Sequence, residues 1–161
     1  AYVNAVAVSD FDGDRRQDLA LSYTSFELGV NRVGIDLYLG RRDGAWERRP
    51  AFVREGRLAF SALESGDLDG DKRSDLVATD YDGFLHILLG DGRGGFVLEA
   101  SPEAQQPRGN CRGYGLRLAD LDRDGRPEIV ASFAGEGNAM YDPLRCQGKG
   151  GVAAWTLQSP K

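Results

Sequence analysis

Three nine-residue segments with the same spacing of acidic residues constrain this chain more than any other feature of its sequence. In the segment 67–75, acids stand at positions one, three, five and nine. Carboxylates at this density repel one another unless a cation lies among them, and alternate residues of a tight loop can direct their side chains to one point. A hard ion such as calcium takes about six to eight oxygen ligands. The segment is therefore predicted to be a calcium-binding loop.

The same spacing occurs at 10–18 and at 120–128, and each copy holds four of the chain's 25 acidic residues. A single copy could equally be a solvated charged turn, but three copies favour three structural calcium sites. The third copy has Arg123 where the others have glycine, a displaced Gly125, and a longer ninth acid that alters the geometry or affinity of its site. The predicted ligands are Asp10, Asp12, Asp14, Asp18, Asp67, Asp69, Asp71, Asp75, Asp120, Asp122, Asp124 and Glu128, with the backbone carbonyl oxygens of Arg16, Arg73 and Arg126 at the seventh positions.

Apolar segments flank every copy, so the repeating unit is predicted to be strand, acidic loop, strand. EF-hands begin with similarly spaced acids, but they need a bidentate glutamate at position twelve and a helix on either side. Position twelve is occupied here by Leu21, Ala78 and Ala131. An EF-hand is therefore excluded.

The segments 10–19 and 67–76 follow the pattern DxDGDxxxDL, and each is followed later by a strand that ends in Leu-Gly, at 39–40 and 89–90. In these features the chain resembles the FG-GAP or VCBS repeats of integrin-type β-propellers. The resemblance implies an all-β domain of propeller-type, four-stranded blades, with each calcium loop between the first and second strands. It also implies calcium as a structural cofactor.

The loop starts are 57 and 53 residues apart, a period that is typical of an array of supersecondary units. One domain, 1–161, is expected, with repeats at about 1–54, 55–108 and 109–161. The expected strands are about 3–9, 18–23, 33–39 and 46–53; 59–64, 75–79, 84–89 and 95–99; and 115–119, 128–133 and 152–157. The third repeat lacks an outer strand, and propellers close with about four to eight blades. The chain is therefore expected to be part of a longer propeller or to form a homo-oligomeric ring.

Other function classes find little support. The formal charge is −5, and the arginines between Arg41 and Arg57 are interleaved with acids, which argues against nucleic-acid binding. No stretch approaches the roughly 18 apolar residues of a membrane span. The one histidine, His86, is expected to be packed and hydrogen-bonded, because no nucleophile accompanies it in the manner of a catalytic triad. The chain is therefore predicted not to be an enzyme.

The connections on the face opposite the calcium loops are long and irregular, which is typical of a binding surface on a rigid scaffold. In the family that the chain resembles, this face binds ligands. The first hypothesis is an extracellular, cell-surface or periplasmic recognition module for a protein or carbohydrate. The alternatives are a segment or subunit of an enzyme resembling polysaccharide lyases, and a purely structural repeat array. The candidate ligand-binding residues are Tyr81, Arg112, Asn138 and Tyr141.

The two cysteines, Cys111 and Cys146, are expected to form a disulfide. Both fall in polar, glycine-rich connections on the same face of the third repeat. Disulfides persist in the oxidising compartments that the calcium loops suggest. The alternative is a pair of buried thiols, because free cysteine is a common core residue.

Overall fold

The computed structural model describes residues 1–27, 29–56, 59–81, 83–99, 113–134 and 150–157. Within these ranges the chain forms eleven strands and no helix. Among the described residues, there is accordingly no helix long and apolar enough to cross a membrane. The prediction of an all-β chain is confirmed.

The strands form three antiparallel sheets, each built from strands that follow one another along the chain. In the first sheet these are β1 (Tyr2–Ser9), β2 (Asp18–Glu27), β3 (Val30–Gly40) and β4 (Trp46–Glu55); in the second, β5 (Phe60–Gly66), β6 (Asp75–Asp80), β7 (Leu85–Gly90) and β8 (Phe96–Leu98); in the third, β9 (Gly113–Ala119), β10 (Glu128–Phe133) and β11 (Gly151–Trp155). Because each connection is local, strand order in space equals strand order in sequence.

One connection differs from expectation. The strands expected at 18–23 and 33–39 left the segment 24–32 as a connection on the face opposite the acidic loops, but β2 and β3 continue through it as a paired hairpin. Thr24 pairs with Val33, and Phe26 pairs with Asn31. Branched and aromatic side chains favour strands, so the ladder extends until a left-handed residue, Gly29 with φ of 83°, turns the chain.

The second sheet lies between the other two, and its strands are apolar on both faces. Alternate residues of a strand point to opposite faces. In β6, Leu76 and Ala78 pack with residues of the first sheet, whereas Val77 packs with residues of the third. In β7, Leu88 faces the first sheet, and Ile87 faces the third. This double burial explains why these strands show an almost continuous apolar sequence.

The first strands of the three sheets are neighbours, with β1 against β5 and β5 against β9. Polar contacts join these strands. Between β5 and β1, Ser65 Oγ donates to the Val8 carbonyl at 3.3 Å; between β9 and β5, an ion pair joins Arg117 to Glu64. The acidic loops that follow β1, β5 and β9 are thereby brought to corresponding ends of the stacked sheets.

Candidate metal centres

Each acidic segment connects the first two strands of its sheet, and its first acid holds the loop in a tight turn. Asp10 Oδ1 accepts the backbone N–H of Gly13, and Asp10 Oδ2 accepts that of Arg15, both at 2.7 Å. Asp67 makes the equivalent two bonds in the second loop. Such local side-chain-to-backbone bonds are the reason aspartate favours turns. They fix the first carboxylate inside its own loop.

Two residues of every loop, at positions four and six, have left-handed backbone. A residue with a Cβ atom pays about 1–2 kcal/mol for this conformation, and each loop has glycine at one of the two positions. The displaced glycine of the third loop therefore relieves the same kind of strain at the sixth position instead of the fourth. The φ values are 78°, 86° and 67° for Gly13, Gly70 and Arg123 at position four, and 67°, 67° and 93° for Arg15, Lys72 and Gly125 at position six.

The ninth acid ties the loop to the end of the third strand of the same sheet. Asp75 is fully buried, and its Oδ2 accepts the N–H of Leu68 while its Oδ1 accepts the N–H of Gly90, both at 2.8 Å. Asp18 makes the corresponding pair of bonds in the first loop. The Leu-Gly sequence that ends β3 and β7 is thus part of the loop's own architecture.

In the third loop the ninth acid is a glutamate, whose longer side chain also bonds the backbone of its own loop. Glu128 Oε2 accepts the N–H of Leu121 at 2.6 Å, and its Oε1 lies 3.4 Å from the hydroxyl of Thr156, beyond the end of β11. Glu128 is 6% exposed. The substitution of glutamate for aspartate therefore keeps the bond within the loop but changes the second partner.

Burial raises the pKa of Asp75 to about 6, and this effect outweighs the lowering by the N–H groups of Gly90 and Leu68. The neighbouring carboxylates of Asp69 and Asp71 also raise this pKa. Desolvation and like charges both disfavour the ionised form. A divalent cation among the loop carboxylates would act in the opposite direction, because it favours the charged form of each acid around it.

Gly90 is predicted to be intolerant of a side chain. A Cβ atom there would lie 2.3 Å from the backbone oxygen of Ser74 in the second loop. Gly90→Ala is expected to lower the free energy of unfolding by about 1–3 kcal/mol, the usual cost of overpacking, measured by urea denaturation. Gly151→Ala is the control, since a Cβ atom at Gly151 meets nothing within 4 Å. Equal stability of the two variants would contradict the predicted contact.

In each loop, three carboxylate groups offer oxygens that lie within 4.8 Å of one another. The groups are Asp10, Asp12 and Asp18; Asp67, Asp69 and Asp71; and Asp120, Asp122 and Glu128. Asp14, Asp75 and Asp124 lie outside these groups, although each belongs to the acidic pattern of its loop. The structure thus brings together three of the four predicted acidic ligands in every loop.

The seventh residue of each loop was expected to contribute its carbonyl oxygen, and this stays a prediction. The N–H groups of Arg16, Arg73 and Arg126 bond the fifth acid of the respective loop, at 2.9, 2.8 and 2.8 Å. This bond fixes the backbone of the seventh position in the same way in all three loops.

Asp12 is the loop acid whose surroundings best suit a bound cation. Its side chain is 10% exposed, and its Oδ1 is buried without a hydrogen-bond partner. A buried carboxylate oxygen without a partner is costly. An all-oxygen donor set suits a hard cation, and calcium is the hard cation that accepts many carboxylates at flexible geometry. The residues present therefore fit calcium, which would supply charge neutralisation and cross-linking of the loop.

The sequence reasoning missed one residue at this site, Arg41. Its Nη1 lies 2.7 Å from Asp12 Oδ2, although the two residues are 29 positions apart. The sequence pattern distinguishes Arg41 only as one of several arginines between Arg41 and Arg57. Its place directly after the Leu-Gly at the end of β3, where the second repeat has Asp91, is the signal that could have identified it.

The candidate ligand face is described only in part. Tyr81, in the turn between β6 and β7, is 38% exposed and lies at the opposite end of β6 from the acidic loop. The other candidates, Arg112, Asn138 and Tyr141, lie outside the described residues, as do Cys111 and Cys146 of the expected disulfide.

The expectation of a packed and hydrogen-bonded His86 is confirmed. Its Nε2 lies 2.8 Å from Asp80 Oδ2, and its ring meets that of Phe60 at a centroid distance of 5.2 Å, edge to face. The side chain is 14% exposed. It lies on the side of β7 that faces the first sheet, opposite Leu85 and Ile87, and away from the acidic loops.

Comparison with known proteins agrees with the repeat pattern. A family model described as an FG-GAP-like repeat matches residues 10–78 and again residues 67–131. Each match spans two acidic loops and the strands between them. No curated protein matches the chain.

Proposed function

Because the chain belongs to the FG-GAP-like repeat family, we propose that it is a recognition module stabilised by calcium at its three acidic loops. The observation that carries the proposal is the recurrence, in all three loops, of carboxylate oxygens within 4.8 Å of one another. The buried, unpartnered Oδ1 of Asp12 supports the same conclusion, because it is an acceptor for which a cation is a suitable partner.

The role proposed for calcium is structural. The acids grouped in each loop lie between strands of one sheet, and the ninth acid also bonds the end of a third strand in the first two repeats. An ion bound there would hold these backbone segments together. FG-GAP repeat domains are generally non-catalytic, and the proposed module is not an enzyme.

The proposed location is extracellular or periplasmic, which is typical of FG-GAP repeats. Such compartments supply calcium and also permit a disulfide between Cys111 and Cys146. The chain would contribute to a closed propeller, either with further repeats or with a second copy, because about four to eight blades are needed for closure.

The proposed ligand is a carbohydrate or a protein, bound at the ends of the sheets opposite the acidic loops. Tyr81 lies at that end and is partly exposed. Aromatic rings with a polar tip are suited to contacts that are part apolar and part hydrogen-bonded. Tyr81 is therefore the residue that we propose as an aromatic contact for a sugar ring at this end of the sheets.

A glycan array probed in calcium tests the carbohydrate hypothesis. The wild-type chain is expected to bind at least one glycan, and Tyr81→Ala is expected to abolish that binding because it removes the aromatic contact. Trp46→Ala is the control, since Trp46 is also an exposed aromatic residue, 53% exposed, but lies at the acidic-loop end of its sheet. Absence of glycan binding would reject the carbohydrate and leave a protein ligand; equal loss in both variants would reject the proposed face.

A further inference from the structure

The first acidic loop differs from the second in the positive charge that the chain itself places on the loop. Arg41 Nη1 lies 2.7 Å from Asp12 Oδ2 and 3.7 Å from Asp14 Oδ2. Arg16 also bonds Asp14. Two carboxylates of this loop therefore have guanidinium partners of their own, and charge-assisted bonds of this kind are among the stronger hydrogen bonds of proteins.

Arg41 is held in this position from its other side. Its Nε donates to Glu47 Oε2 at 3.0 Å, and its side chain is 28% exposed. The hydrogen bonds to Asp12 and then to Glu47 are the main causes that raise the pKa of Arg41. The guanidinium thus bridges the acidic loop and β4, and it is charged at any physiological pH.

The second sheet has the same turn after its third strand, but the first residue of that turn is the acid Asp91 instead of an arginine. The N–H of Arg41 donates to the carbonyl of Ala45 at 2.9 Å, and the N–H of Asp91 donates to that of Gly95 at the same distance. Each turn follows a glycine whose N–H bonds the ninth acid of the loop, at 2.8 Å in both sheets. Asp91 is therefore the structural equivalent of Arg41.

The Asp91 carboxylate does not approach the loop acids. It accepts the N–H groups of Arg93 and Gly95, at 2.7 and 2.9 Å. Within the described residues, Asp69, the equivalent of Asp12, has no ion-pair partner. The Arg73 guanidinium lies 3.3 Å from Asp71, and the Arg126 guanidinium packs against Gly70 of the same loop. Among the described residues, the third-position acid of the first loop therefore has a guanidinium partner, and the third-position acid of the second loop has none.

From this difference we propose that Arg41 is a built-in counter-ion of the first loop, which lowers the calcium affinity of that loop below that of the second and stabilises it when calcium is absent. The inference rests on the proposed calcium binding. Arg41 holds one oxygen of Asp12, Oδ2, and leaves the buried Oδ1 for the ion. An ion bound at Oδ1 would be repelled by the guanidinium and would receive less charge from the shared carboxylate.

Arg41→Gln tests the inference by calorimetric calcium titration of the whole chain. This variant is expected to raise the calcium affinity of one site roughly tenfold. Removal of a nearby charge has an effect of this size in a partly exposed site. The gain should vanish when Asp12→Asn is added. The same variant is expected to lower the Tm in chelator. Arg42→Gln is the matched control, because the neighbouring Arg42 is exposed, and it should change neither quantity.

The reciprocal variant keeps the test decisive if the first loop fails to fold without its arginine. Asp91→Arg is expected to weaken the second site roughly tenfold, whereas Asp91→Asn, which removes the acid without adding a cation, is not. If the chain binds calcium but Arg41→Gln and Asp91→Arg leave the affinities of the sites unchanged, this inference is overturned and the proposed function stands. Absence of calcium binding by every variant and by the wild type would overturn both.

Discussion

Removal of calcium is expected to lower the Tm of this chain by more than about 10 °C. A ligand present at one hundred times its Kd adds about 2.7 kcal/mol per site to the free energy of unfolding, and the chain has three acidic loops. In a domain of this size, about 1 kcal/mol corresponds to about 2–4 °C in Tm. The measurement is a thermal melt, followed by circular dichroism, in saturating calcium and in excess chelator.

Magnesium provides the control for general ionic effects. It prefers a smaller and stricter octahedral shell than calcium, so it is expected to restore only a small part of the lost stability. Coincident melting curves in calcium and in chelator would contradict a stabilising role of the loops. Equal rescue by magnesium and calcium would contradict their assignment as calcium sites.

Asp75→Ala is expected to destabilise the chain whether or not calcium is present, by about 2–4 kcal/mol. The variant leaves the N–H groups of Leu68 and Gly90 without their acceptor in a fully buried position, and each such loss costs about 1–3 kcal/mol. The variant also removes the cost of burying the Asp75 carboxylate, the desolvation that raises its pKa. The expected loss of stability is therefore smaller than the sum of the two unsatisfied N–H groups at their upper values. Urea denaturation in calcium and in chelator measures both values.

Asp71→Ala is the matched comparison in the same loop. Asp71 is exposed. It accepts the N–H of Arg73 and lies 3.3 Å from the Arg73 guanidinium, and water can replace both contacts in the variant. Its removal is therefore expected to cost stability only in calcium, where a ligand is lost. If Asp75→Ala were as stable as Asp71→Ala in chelator, the ninth acid would not have the backbone-linking role that its two hydrogen bonds indicate.

The strands and loops of this fold could be predicted from the sequence because the information for them is local. Alternating apolar residues identify a strand within a few positions, and every sheet is built from consecutive strands. The spacing of acids in the loops is local as well, since Asp10 bonds the backbone only three and five residues further on. Both kinds of pattern are complete within a short segment and need no knowledge of tertiary contacts.

What the sequence did not reveal depends on contacts between distant residues. The link from Asp75 to Gly90 spans 15 positions, and that from Arg41 to Asp12 spans 29. The repeat pattern marks the Leu-Gly positions, but it does not show that these residues contact the acidic loops. The hairpin through Thr24 and Val33 was missed because polar residues interrupt the apolar alternation there. The backbone conformation of the loops was hidden for a different, local reason: a glycine moved from position four to position six looks like a departure until both positions are seen to be left-handed.

The most direct test of the account is the number of calcium ions that the folded chain binds. Equilibrium dialysis with labelled calcium, in excess magnesium, should give three ions per chain at saturation, one for each loop. Asp10→Asn with Asp12→Asn, Asp67→Asn with Asp69→Asn, and Asp120→Asn with Asp122→Asn should each remove one. Two results would contradict the assignment of the acidic loops as calcium sites. One is that no labelled calcium binds in excess magnesium, and the other is that these pairs of substitutions leave the number of bound ions unchanged.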